Sequence, residues 1–105
     1  MPVTAETGES FANALVRAGY TDFYLIGADD ARRLLTEKRR EIIRVLKEDD
    51  VSSMRELART LDRDIRQVSD DLDVLYEMSV IDYREKGRRK IPELRHSRIV
   101  VEPIG

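Results

Sequence analysis

Residues 52–78, S-S-M-R-E-L-A-R-T-L-D-R-D-I-R-Q-V-S-D-D-L-D-V-L-Y-E-M, restrict the fold more than any other stretch of the chain. Met54, Leu57, Ala58 and Leu61 fall at i, i+3, i+4 and i+7, one apolar stripe with a period of about 3.6 residues. Ser52 or Ser53 is placed to cap this helix. Glu56 stands three residues after Ser53, the capping-box spacing in which side chains satisfy amides left over at a helix start. A second stripe, Ile65, Val68, Leu72 and Leu75, predicts another helix, capped by Asp62 or Asp64. Only Asp62, Arg63 and Asp64 separate the two stripes. So short a polar connection makes the helices cross steeply, the geometry of a helix-turn-helix.

The segments after this pair predict strands. Val80 to Glu85 alternates, Lys86-Gly87 supplies a turn, and Arg88 to Ile91 returns until Pro92 stops it. Ser97 to Glu102 reads as a final strand before Pro103. On the N-terminal side, Thr36 caps a helix whose buried stripe is Leu35, Arg39, Ile42, Ile43 and Leu46, and Glu48-Asp49-Asp50 end it in a solvated loop. Earlier still, Phe11, Ala14, Leu15 and Ala18 predict a short amphipathic helix ended by Gly19. Phe23 to Ile26, closed by Gly27, reads as a short strand, and Asp29 or Asp30 caps a helical turn through Leu35. Residues 1–8 are polar and aperiodic and read as frayed.

The run from Ser53 to Leu75 resembles the helix-turn-helix of winged-helix transcriptional regulators of the MarR and ArsR kind. More narrowly, the chain resembles a short prokaryotic group of predicted DNA-binding regulators common in haloarchaea. In that group an L-L-T-x-x-R-x-x-I-I segment precedes the helix pair and a glycine-containing wing follows it. Here these are Leu34 to Ile43 and the hairpin around Gly87, and the resemblance covers residues 34–102. It implies an α+β winged helix-turn-helix, a three-helix core with a β-hairpin wing, preceded by an N-terminal helix and strand. We expect residues 1–28 to be that extension, available for dimerisation, and 29–105 to be the winged-helix domain. The resemblance implies a homodimeric repressor that recognises double-stranded DNA.

The residues support the same reading independently. A second helix over residues 64–78 is sized for a major groove about 12 Å wide, and the hairpin at 80–92 is placed as a wing beside it. Arg63, Arg66, Gln67, Ser69 and Asp70 begin the expected solvent face of that helix. Arg66 is suited to two-point hydrogen bonding with guanine and Gln67 with adenine. Ser53 and Arg55 are positioned for phosphates. Arg84, Lys86, Arg88, Arg89 and Lys90 put five cations around Gly87, an arrangement for phosphate binding or for protecting a strand edge from aggregation. Against this, Asp70, Asp71, Asp73 and Glu77 make the later turns of the helix acidic. That leaves an alternative open: a winged-helix protein-interaction module, an antitoxin or scaffold, with a basic protein partner.

The net charge of −2 conceals a gradient: residues 36–82 carry 13 acidic and 9 basic side chains, and residues 83–105 carry 3 and 7. The chain is basic only where the wing is. There is no cysteine, and the one histidine, His96, reads as a surface side chain, so neither metal nor cofactor is expected. Acid pairs such as Asp70-Asp71 diverge by about 100° on a helix and cannot share a proton. With no phosphate loop or nucleophile motif, no enzyme is expected. No apolar run approaches the roughly 20 residues that span a bilayer, and the first ten residues lack signal-peptide character, so no membrane contact is expected and a cytoplasmic protein is.

Overall fold

A computed structural model describes residues 9–102. The order is α1 (Phe11–Arg17), β1 (Phe23–Gly27), α2 (Ala28–Leu34), α3 (Glu37–Glu48), α4 (Met54–Leu61), α5 (Ile65–Glu77), β2 (Ile81–Lys86), β3 (Arg89–Leu94) and β4 (Arg98–Glu102). The architecture is α+β. Helices α3, α4 and α5 surround a core of Ile42, Val51, Leu57, Ala58, Val68, Leu72, Leu75, Val80 and Ile81. Nearly all of these come from the apolar stripes or from the strand that follows them. The buried face of α5 begins at Val68, one turn later than the stripe implies, because Ile65 is the first helical residue and is 42% exposed. Val51, 5% exposed, sits in a loop where periodicity has nothing to report.

Local hydrogen bonds set the helix boundaries. Ser10, Thr36, Ser53 and Asp64 are the N-caps of α1, α3, α4 and α5, each accepting an amide of the first turn. At α4 the box is shared between two serines. Ser53 Oγ takes the Glu56 amide at 3.0 Å, while the Glu56 carboxylate accepts from Ser52. Gly27, not Asp29 or Asp30, caps α2, and the two aspartates occupy its first turn.

Three helices end in the same way. Gly19, Asp62 and Ser79 take left-handed backbone, with φ of 96°, 53° and 65°. After each, an amide reaches back five residues: Tyr20 to Leu15, Arg63 to Ala58, and Val80 to Leu75, all at 3.0 Å. These are Schellman endings, which satisfy carbonyls left open at the helix terminus. The middle one forms the turn between α4 and α5. Asp62 therefore closes the first helix and Asp64 opens the second.

Strands β2 and β3 form an antiparallel hairpin running from Ile81–Leu94 to Lys86–Arg89. Its turn is Gly87-Arg88, one residue beyond the expected Lys86-Gly87. Gly87 alone of the two has positive φ (64°), the pattern of a type II′ turn, whose twist suits a hairpin. Pro92 does not stop β3. It is buried and pairs with Tyr83, whose amide is taken by Asp82 Oδ1 at 2.9 Å. On a two-stranded hairpin, proline can sit where no ladder amide is needed.

The first and last of the described strands meet. Strand β1 pairs in parallel with β4, Phe23 with Arg98 through Gly27 with Glu102. Tyr24 and Ile99 from this pair pack against the three-helix core, and α2 lies against both strands. Of the four apolar residues expected to bury α1, Ala14 and Leu15 do so, Phe11 is half-buried and Ala18 is exposed. Residues 1–8 and Ile104 lie outside the described residues.

Candidate nucleic-acid interface

Helix α5 follows α4 after a three-residue turn and runs through Ser79-Val80 straight into the wing. Contact between the Tyr76 and Tyr83 rings, 5.3 Å between centroids, ties the last turn of α5 to β2. Burial, with the charge of Asp73 nearby, raises the Tyr83 hydroxyl above its usual pKa.

The expected contact residues do not all share this surface. On α5, Arg66 and Gln67 are exposed at the N-terminal turn, together with Asp70, while Ser69 is half-buried. Arg55 is exposed on α4; Ser53 is half-buried and its hydroxyl is committed to the Glu56 amide. On the wing, all five cations are exposed. Arg84 meets Glu93 across the hairpin at 3.4 Å. Lys86, Arg88, Arg89 and Lys90 have no carboxylate within 4.0 Å among the described residues. Pairing places Lys86 and Arg89 on one face of the hairpin and Lys90 with Glu85 on the other, with Arg88 at the tip.

Arg63 is the correction. Its side chain is 9% exposed and its Nη2 donates to Asp71 Oδ2 at 2.5 Å, so it does not belong to the solvent face. Its Nε and Nη1 are buried without a hydrogen-bond partner. The other oxygen of Asp71 accepts Arg39 Nε at 3.0 Å, and Arg39 Nη1 reaches the Leu34 carbonyl at 2.9 Å. One carboxylate on α5 thus binds α3 and the turn before α5 together. A buried charge demands a partner, which explains why an arginine can stand in the apolar stripe of α3. Its presence in that stripe is the signal that a buried acid exists. Which acid it is cannot be read from spacing. The pairing also removes Asp71 from the acidic surface of α5, leaving Asp70, Asp73 and Glu77 exposed.

His96 is likewise not a free surface group. Its Nδ1 lies 3.1 Å from Asp22 Oδ1 and its ring stacks 6.0 Å from that of Tyr24. Asp22 also accepts the Ser97 amide at 3.1 Å through Oδ2, and its carbonyl accepts Ser97 Oγ at 2.9 Å. These bonds, first the one to His96, hold the Asp22 carboxyl below its ordinary pKa of 3.8. The clasp fixes the entries of β1 and β4, the two strands that pair.

A three-helix core whose last helix leads into a basic, glycine-tipped hairpin defines a winged helix-turn-helix domain. The chain belongs to the HVO_A0114 family, whose match spans residues 34–101, from the start of the three-helix core through most of β4. Among solved structures it is similar to the homodimeric winged helix-turn-helix DNA-binding domain (fragment 1-100) of Mb0332 from Mycobacterium bovis, a possible ArsR-family transcriptional regulator. The TM-score is 0.54 at 16% identity over 83% of this chain and 73% of that one, a likeness of fold. No curated protein matches.

Proposed function

We propose that the protein is a sequence-specific double-stranded DNA-binding transcriptional regulator, cytoplasmic and without catalytic activity, acting as a homodimeric repressor. The observation that carries the reading is the wing: four cations without acidic partners among the described residues, on a hairpin that follows the C-terminal end of α5, the helix whose exposed first turn bears Arg66 and Gln67. In this reading the wing binds phosphates whatever the sequence, and Arg66 and Gln67 read base edges in the major groove. Arg55 supplies a further phosphate contact. Only the first turns of α5 enter the groove, which keeps Asp73 and Glu77 away from phosphates. Capture of Asp71 by Arg39 and Arg63 takes one negative charge out of that approach.

The dimer reading is supported by apolar surface on α1 and on the β1–β4 pair. Parallel strands normally have both faces covered. Here β1 and β4 are only two strands, Val101 is 44% exposed, and Val16 on α1 is 61% exposed. A two-fold dimer through these elements would set its recognition helices about 34 Å apart, one turn of DNA. The similar Mycobacterium bovis domain is described as homodimeric. Since β1 is paired along its length with β4, the assembly has to be tested in the full chain and not after removal of residues 1–28. Sedimentation should give a dimer at micromolar concentration, and Val101→Asp should yield monomers; a wild-type monomer would refute the dimer.

The DNA reading is tested by mobility shift of genomic fragments at several salt concentrations. A steep fall in affinity with salt and a preference among fragments are expected. The second reading, a module for a basic protein partner, is favoured by the exposed Asp70, Asp73, Tyr76 and Glu77. It predicts no retardation of any duplex.

A further inference from the structure

The two sheets differ at their edges. Along the wing, β2 carries Asp82, Arg84, Glu85 and Lys86, and β3 carries Arg89, Lys90, Pro92 and Glu93. Charge and proline at a free edge discourage another strand from adding to it. Strand β4 has no such protection, because only Ile99, Val100 and Val101 lie between its end residues Arg98 and Glu102. Its one strand neighbour among the described residues is β1, so its other edge presents backbone N–H and C=O groups without a ladder partner.

Burial across the pair points to the same edge. Val101 lies opposite Ile26, yet Ile26 is 5% exposed and Val101 44%. Ile99, two residues before Val101 and therefore on the same face, packs against the three-helix core. This face of the sheet is closed at β1 and open at β4. The end charges lack partners as well: neither Arg98 nor Glu102 has an opposite charge within 4.0 Å among the described residues. The Arg98 guanidinium rests 5.4 Å from the Tyr20 ring centre, which positions the cation without neutralising it.

The strand R-I-V-V-E is complementary to itself when reversed. Antiparallel pairing about a two-fold axis at Val100 sets Arg98 opposite the second copy's Glu102, Ile99 opposite its Val101, and the two Val100 side chains opposite each other. We propose that two copies of the chain join edge to edge through β4 in this register, making a four-stranded sheet of order β1-β4-β4-β1. Opposite charges directly across an antiparallel ladder stabilise it, and here they meet at both ends. Any other register separates them. The exposed Val101 gains Ile99 of the second copy as its neighbour. Strand β1, F-Y-L-I-G, has no charge with which to fix a register. This contact rests on the dimer reading above and specifies it.

The test is sedimentation of the full chain and of two variants, Arg98→Glu and Glu102→Arg. Each variant sets like charges across the ladder at both ends, so each should self-associate at least about tenfold more weakly than the parent. Mixed in equal amounts the two are complementary again, and the mixture should dimerise with about the parent's affinity. That recovery also shows that both variants are folded. The chain has no cysteine, so Val100→Cys should link two copies through one disulfide under mild oxidation. Directly opposed Cα atoms in an antiparallel ladder are about 4.5–5.5 Å apart, within reach of such a bond. A dimeric parent whose two variants stay dimeric overturns the β4 contact and leaves the dimer reading standing. So does linkage by Leu25→Cys in place of Val100→Cys, which would put the contact at β1. A monomeric parent refutes the dimer reading and this contact with it.

Discussion

Asp71 of α5 holds Arg63 at 2.5 Å while its second oxygen holds Arg39 at 3.0 Å, so one side chain secures the whole helix-turn-helix to α3. All three side chains are less than one-fifth exposed. Removing the shared anion would leave two guanidinium groups largely buried and unopposed. Asp71→Ala should therefore lower stability by about 3 kcal/mol or more, the range for breaking a buried pair from one side. A urea denaturation midpoint unchanged from the parent would show that the cluster is solvated.

Left-handed residues give a second stability prediction. Ser79 sits at φ 65° in the Schellman ending of α5, a position that glycine occupies without strain. Ser79→Gly should raise stability by about 0.5–1 kcal/mol, and Ser79→Val should lower it by about 1–2 kcal/mol. Thermal melts of the two variants should move in opposite directions. Equal losses would place the importance of Ser79 in its hydroxyl.

Leu57 and Leu72 are fully buried in the core. Either changed to alanine should cost about 2–5 kcal/mol, a large share of what holds a domain of this size together. Arg66→Ala should leave the denaturation midpoint in place, because that side chain is exposed. Comparing the three curves separates core from surface.

On the wing, Arg88→Ala with Arg89→Ala should weaken binding to every duplex alike. The slope of log affinity against log salt should become shallower by about 0.9 for each phosphate that the wing no longer neutralises. Arg66→Ala should instead relax discrimination between sequences, by about 1–3 kcal/mol at one base pair. An unaltered salt slope in the double variant would make the hairpin a protected strand edge.

The Asp22 clasp predicts a response to acid. The folded pKa of Asp22 lies below the ordinary 3.8, chiefly through the His96 hydrogen bond. Its contribution is therefore complete above pH 3.8 and is lost as the pH falls below that value toward the folded pKa. Asp22→Asn should reduce the acid sensitivity of the thermal midpoint in that window and leave the other acids to titrate as before. Parallel acid curves for parent and variant would mean that the clasp does not bear on stability.

The sequence by itself determined the helix-turn-helix and the hairpin after it. Both are written in local patterns: stripes at Leu57, Val68, Leu72 and Leu75, caps at Thr36, Ser53 and Asp64, a glycine at the hairpin tip. Each of these is settled within a few residues, where spacing and turn chemistry decide the backbone. Only the tertiary structure decided which charges face water. Arg63 and Arg66 look alike in the sequence, yet one is turned in by Asp71 and the other exposed, because Arg39 comes from 32 residues away to share that acid. The parallel pairing of β1 with β4 and the Asp22–His96 clasp across 74 residues have the same origin. Periodicity reports which side of an element is apolar. It carries no information about which distant element will cover that side.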